Sequence, residues 1–253
     1  MTFEGFWGHC LFRRLVLDKH VTPPALEIIN ERGARNVAEA AASTGARLIQ
    51  LSTDYVFDGA QSTPYETDDV PAPLNVYGRS KLAGEAAVRS AGGTATIVRC
   101  GWLFSAYGNN FLLTMLRGMK EGRALRVVND QVGVPSSCRD LASFLWWCVG
   151  AEALPPAMHW TNAGMGSWYD FAVAIQKLAS ERALIGESAA ISAISSQEYE
   201  AKAKRPRYSV LDSRESWALS GGSPDHWLAA TAKTLDELAA PKNASGKNAP
   251  PRG

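Results

Sequence analysis

Residues 47–59 read RLIQLSTDYVFDG, and residues 73–85 read PLNVYGRSKLAGE. The run 47–53 is short and apolar, the pattern of a buried strand, and the Pro/Asp-rich stretch 58–75 reads as a loop. A helix is expected over 77–89. Gly92-Gly93 then punctuates the chain, and 94–100 (TATIVRC) reads as the next strand. Upstream, 25–43 puts Ile29, Val37, Ala40 and Ala41 on one helical stripe behind the Thr22-Pro23-Pro24 breaker, with Gly45 closing it. Downstream, helical patterns over 110–120, 139–149 and 168–179 alternate with strand patterns over 125–128 and 158–162, and Phe171, Ile175 and Leu178 point inward. Such alternation with short turns predicts an α/β fold, a parallel sheet covered on both faces.

The composition narrows the functions. The chain has 253 residues, 46% hydrophobic and 20% charged, enough for a sizeable core without covalent staples. Lys plus Arg total 26 against 25 Asp plus Glu, a net charge of +1, so neither nucleic acid nor an anionic membrane is an expected partner. No stretch approaches the roughly 20 apolar residues of a membrane span. The N-terminus carries its apolar residues before its charges, the wrong order for a secretory signal. Cys10, Cys100, Cys138 and Cys148 form no C-x-x-C pair and no zinc spacing with histidine, so no metal site is expected. Cys100, Cys138 and Cys148 read as inert core thiols. The expected setting is the cytoplasm. His9, His20, His159 and His226 stand beside no nucleophile and receive no role.

The chemistry concentrates in Thr53, Tyr77 and Lys81. Tyr77 and Lys81 are four apart on the expected helix and share a face. A nearby ammonium stabilises a phenolate, so such a tyrosine can exchange a proton with a carbonyl or alcohol oxygen near neutral pH. Thr53, at the end of the preceding strand and 24 residues before Tyr77, can hydrogen-bond the same oxygen. The set suits reduction of a ketone by hydride transfer, although a solvated Tyr/Lys pair is the commoner meaning of that spacing alone.

The segments STDYVFDG (52–59) and PLNVYGRSKLAGE (73–85) resemble the extended short-chain dehydrogenase/reductases, and within them the dTDP-4-dehydrorhamnose reductases. The similarity continues through RCGWLFSAYGNNFLLTML (99–116), VVNDQVGVPSSCRDLA (127–142) and RPRYSVLD (205–212), and spans roughly 24–238. The resemblance implies a Rossmann-like parallel sheet with a smaller, interleaved C-terminal substrate-binding region. It divides the chain into a family-unlike segment 1–23, a partial NAD(P)-binding domain 24–157 and a substrate-binding region 158–240, while 241–253, with three cations, no acid and no large apolar residue, reads from its composition as a disordered tail. Its implied activity is reduction of the C4 ketone of dTDP-4-dehydro-L-rhamnose by NADPH or NADH, with Mg2+ possible at family level and a homodimer as a possible assembly. Tyr77 becomes the general acid, Lys81 its partner and a ribose contact, and Leu51 and Ser52 further cofactor contacts. Thr53, Asp54, Trp102, Asn109, Asn110, Gln131, Arg205 and Arg207 fall on the nucleotide-sugar side, the arginines suited to the diphosphate. Other uses stay open: core packing for Trp102, helix capping for Asn109 and Asn110, a turn for Asp54 and a surface charge for Arg205.

The family opens with a strand, a glycine-rich turn and a helix that receives the cofactor pyrophosphate. Here Gly5 and Gly8 lack a third glycine and read as coincidence. A first β-α-β-α-β stretch needs about 70 residues, so the expectation is an N-terminally truncated member whose strand 47–53 becomes an open edge. Two other readings accompany the reductase. One is a non-catalytic subunit like the reductase-related partner of methionine adenosyltransferase; the other is an inactive reductase fragment.

Overall fold

The computed structural model describes residues 23–240 apart from 187, 188, 200 and 202. Gly5, Gly8, the segment 1–22 and the tail 241–253 lie outside the described residues. The chain begins with α1 (Pro23–Glu27), a π-helical turn (Ile28–Gly33) and α2 (Ala34–Thr44). Then come β1 (Leu48–Thr53), α3 (Val76–Ser90), β2 (Ala95–Cys100), β3 (Leu103–Phe104), α4 (Phe111–Lys120) and β4 (Leu125–Val128). Next are β5 (Val132–Gly133), β6 (Ser136–Ser137), α5 (Cys138–Gly150) and β7 (Ala157–His159). Last come β8 (Gly166–Ser167), α6 (Trp168–Glu181), β9 (Ile191–Ile194), α7 (Arg214–Leu219) and α8 (Trp227–Ala239).

The main sheet is parallel, in the order β1-β2-β7. Leu48 to Thr53 pair in register with Ala95 to Cys100, and Ile97 to Arg99 with Ala157 to His159. Among the described residues β1 is laddered on one side only. The expected single sheet needs one correction. β4 does not join it but pairs with β9 in a separate two-stranded parallel ladder, because an apolar run specifies burial and not its partner.

The helical stripe expected over 25–43 is also corrected. Asn30, Ala34 and Ala38 are buried there, whereas Val37 is 45% exposed. The π turn breaks the 3.6-residue period and re-phases the helix that follows it. The face turned inward is small, and α3 comes close enough for Asn30 Nδ2 to donate to Ser80 Oγ at 2.9 Å.

Two large hydrophobic clusters pack the sheet and the C-terminal helices. Val98 and Met158 of the sheet pack with Leu141, Phe144 and Cys148 of α5 and with Trp160. Leu112 and Leu116 of α4, Phe171 and Ile175 of α6, and Leu235 of α8 form the second cluster around Phe104. Cys100 and Cys148 are buried thiols, and burial pushes Cys148 up to about 11, so both read as core, whereas Cys138 is only partly buried. No helix among the described residues is long and apolar enough to cross a membrane.

Candidate active site

The site grows from the carboxyl end of β1. Thr53 is extended, and its side chain caps the 3-10 turn Asp54–Val56 by accepting from Tyr55 N at 3.2 Å. Its hydroxyl donates to Asp54 Oδ1 at 3.0 Å. Asp54 itself is 2% exposed, and its Oδ2 lacks a hydrogen-bond partner of good geometry.

Helix α3 is fastened against that turn from its first residues. Asn75 caps it, Oδ1 accepting from Gly78 N at 2.8 Å, while Nδ2 donates to Lys204 O at 2.9 Å. Gly78 is needed for the approach: a Cβ there would lie 2.1 Å from Tyr55 O. One residue earlier, the Tyr77 ring meets Tyr55 edge-on with centroids 6.2 Å apart. One turn later, Lys81 Nζ donates to Leu51 O at 2.7 Å. Burial lowers the Lys81 pKa, with Cys100 and Glu85 opposing. Leu51, Ser52, Thr53, Asp54, Tyr77 and Lys81 are thus drawn into one place.

Asn75 therefore serves two ends at once. Asn75→Ala is expected to cost about 1 kcal/mol through the lost cap, as such caps usually do, and to free the 204–207 segment. Denaturant unfolding checks the first effect. An unchanged midpoint would contradict it.

The 205–209 segment joins this cluster to the β5 loop. Val132 N donates to Arg207 O and Ser209 N to Val132 O, each at 2.8 Å. Arg205 is exposed, and its charge acts on the Tyr55 phenol, which burial raises. Arg207 pairs with Asp130 at 3.8 Å. Gln131 is buried and donates to Ser196 Oγ at 2.9 Å.

Trp102, just past β2, has φ 49°, a conformation that non-glycine residues rarely adopt. Its ring lies flat on Trp168 with centroids 3.5 Å apart and also covers Gly133, where a Cβ would sit 2.3 Å from the indole. Both indole Nε1 atoms are buried without a hydrogen-bond partner. Asn110 does cap α4: Oδ1 accepts from Leu113 N at 3.1 Å, and Nδ2 donates to Ser105 O and Tyr107 O. Asn109 is exposed in the preceding loop, so the structure does not draw these two asparagines into the cluster.

Behind the site lies a network that the sequence reading passed over. Arg99 of β2 forks onto Glu85 of α3, Nε to Oε1 at 3.0 Å and Nη2 to Oε2 at 2.8 Å. His159 Nε2 lies 3.3 Å from Arg99 Nη1, and its Nδ1 lies 3.0 Å from Tyr65 O. The signal was an arginine inside the apolar strand 94–100. A charge there requires a buried partner.

Asp54 links geometry to pH. Burial pushes its carboxyl from 3.8 up to about 6, with the Ser209 and Thr53 hydroxyls opposing the rise. The folded chain therefore holds that proton more tightly than the unfolded chain. The associated stability is complete below pH 3.8, falls as pH rises through about 6, and stays lost above it. Asp54→Asn should raise the free energy of unfolding above pH 6, by at most about 3 kcal/mol, and change little below pH 3.8. An equal effect at both pH values would contradict this account.

The donor set fits a nicotinamide cofactor. An ammonium has three donors, and Leu51 O takes one from Lys81, leaving two for ribose hydroxyls. No group of three His, Cys, Asp or Glu residues able to hold a metal ion occurs among the described residues, so Mg2+ has no evident seat there.

A family model described as the RmlD substrate binding domain matches residues 21–240. The chain belongs to this family. Among its RmlD-family relatives, the spore coat polysaccharide biosynthesis protein SpsK of Bacillus subtilis (strain 168) is 37% identical over 211 residues, 83% of this chain and 71% of that protein. A dTDP-4-dehydrorhamnose reductase of Aggregatibacter actinomycetemcomitans is 38% identical over 204 residues, 79% of this chain and 69% of that one. A crystal structure of dTDP-4-dehydrorhamnose reductase from Bacillus anthracis str. Ames, in complex with NADP, matches with a TM-score of 0.77 at 36% identity, covering 83% of this chain and 72% of that one. The RmlD chain described here accordingly has the Rossmann-like α/β class expected from its alternating pattern.

Proposed function

We propose that this RmlD-family chain is an oxidoreductase that reduces the C4 ketone of dTDP-4-dehydro-L-rhamnose to dTDP-L-rhamnose, a step of polysaccharide biosynthesis, with NADPH as the reductant. The observation that carries the reading is Lys81 Nζ seated on Leu51 O, with Tyr77 on the same helix face and pressed against the turn that follows Thr53. The reduced nicotinamide, when bound, supplies the hydride. Tyr77 holds the proton that the ketone oxygen receives, and Lys81 stabilises the phenolate left behind. Lys81 also meets the ribose beside Leu51 and Ser52. Thr53 and Asp54 lie at the reacting carbon, and Trp102 packs against the sugar. Gln131 faces the nucleotide sugar, and Arg205 and Arg207 face its diphosphate. In this reading residues 24–157 form the partial NAD(P)-binding domain, residues 158–240 the substrate-binding region, and the chain works in the cytoplasm.

NADPH is preferred over NADH here because the relative from Bacillus anthracis was solved with NADP. Titrating the chain with each cofactor, read by cofactor fluorescence, tests both points. Saturable binding, tighter for NADPH, is expected. A chain that unfolds cooperatively but binds neither cofactor would instead favour a non-catalytic binding subunit.

A further inference from the structure

The Thr53 hydroxyl has one hydrogen and two acceptor positions. Its hydrogen goes to Asp54 Oδ1 at 3.0 Å, and one acceptor position is taken by Tyr55 N at 3.2 Å. What remains for a ligand is a lone pair. A ketone oxygen only accepts hydrogen bonds, and the alkoxide that develops on it accepts more strongly. With Asp54 ionised, Thr53 therefore faces the substrate oxygen with the wrong polarity.

The surroundings of Asp54 disfavour that ionised form. The carboxyl is 2% exposed, and its Oδ2 has no hydrogen-bond partner of good geometry. It is wedged beneath Gly101, where a Cβ would lie 2.6 Å from Asp54 Cγ. The groups facing it are the Ser209 hydroxyl from the 205–209 segment and the Tyr55 phenol on its own turn. The nearby cations serve other partners: Lys81 of α3 sits on Leu51 O, and Arg205 acts on Tyr55. A buried carboxylate with no cation beside it is costly, so the carboxyl holds its proton more tightly than it would in water.

We propose that Asp54 is a positioning residue that sets the direction of the Thr53 hydroxyl. Protonated, its carboxyl donates to Thr53 Oγ1 and releases the hydroxyl hydrogen toward the substrate oxygen. Ionised, it holds that hydrogen away. The Asp54 proton is not consumed, since the proton transferred to the product comes from Tyr77. This inference rests on the reductase reading and adds to it a reason for a carboxyl beside the threonine.

The test follows the Asp54 carboxyl by carbon-13 NMR of aspartate-labelled chain, titrated with and without dTDP-4-dehydro-L-rhamnose and without cofactor. Binding of the ketone should raise the Asp54 pKa by about one unit or more, because only the protonated form offers the ketone a donor. In Thr53→Val the ketone should leave it unmoved. Bound ketone with no shift in wild type, or an equal shift in Thr53→Val, overturns the proposal and leaves the reductase reading standing. A shift without any turnover once NADPH is added overturns the reductase reading alone. No binding of the ketone overturns both. In turnover, the kcat of Asp54→Asn relative to wild type should climb roughly tenfold per pH unit above the Asp54 pKa. A ratio constant with pH counts against the proposal.

Discussion

Tyr77→Phe is expected to lower kcat by roughly 10²–10⁴-fold, the usual worth of a positioned proton donor, while leaving the fold in place. The substitution removes one oxygen. It keeps the ring that meets Tyr55 at 6.2 Å, and the supports of α3 are elsewhere: the Asn75 cap, the close passage of Gly78 over Tyr55 O, and Lys81 on Leu51 O. Cofactor affinity should change far less than kcat, because Lys81 stays in position. Steady-state kinetics beside a cooperative unfolding curve would separate the two effects. Unchanged turnover would remove Tyr77 from the chemistry.

Breaking the Arg99–Glu85 pair should have the largest effect on stability. Arg99→Met leaves Glu85 buried with only the half-exposed Arg89, 3.3 Å from Oε2, beside it, and breaking such a buried pair costs about 3–5 kcal/mol in comparable cases. The arginine is also tied to Thr67 O at 3.3 Å and sits 5.2 Å from the Phe57 ring centroid, so the loss extends beyond one pair. Glu85 lies one turn beyond Lys81 on α3, so this network anchors the helix that carries Tyr77 and Lys81. Arg99→Met/Glu85→Leu should recover much of the loss, since two apolar side chains leave no stranded charge. A double variant no better than the single one would contradict this explanation.

The pH dependence of the network has a definite sign. Burial, followed by the Arg99 charge, pushes His159 from 6.5 down to about 4. Burial alone would raise Glu85, but the Arg99 hydrogen bonds and charge outweigh it and hold the carboxyl below its usual 4.5. Both contributions are present above the unfolded values and disappear as pH falls. Destabilisation from His159 should therefore begin below about pH 6.5 and from Glu85 below about pH 4.5.

The strand before Thr53 and the helix carrying Tyr77 and Lys81 were legible because each rests on local period and punctuation. That Tyr77 and Lys81 share a helix face was legible for the same reason: a four-residue spacing on one helix survives any tertiary context. What failed was non-local. The π turn at Ile28–Gly33 re-phased α2, and no run of apolar letters marks such a turn. β4 pairs with β9 across more than sixty residues of chain, and its own four residues do not name that partner. His159 received no role because no nucleophile stands beside it in the sequence, and its partners, Arg99 and Tyr65, are distant along the chain. Trp102 was read as either core or ligand contact, and its stack on Trp168 depends on a residue that the reading placed only on a helix. Asn110 shows the opposite case, where the plain capping rule accounts for the bond that Oδ1 accepts from Leu113 N.

The central claim is that Thr53, Tyr77 and Lys81 of this chain reduce a sugar ketone. The direct measurement supplies the purified chain with dTDP-4-dehydro-L-rhamnose and NADPH deuterated at the transferred position, and examines the product by NMR. The predicted result is dTDP-L-rhamnose carrying deuterium at C4, formed in step with cofactor oxidation and lost in Tyr77→Phe. A cooperatively folded chain that binds both compounds yet forms no deuterated product would contradict the account.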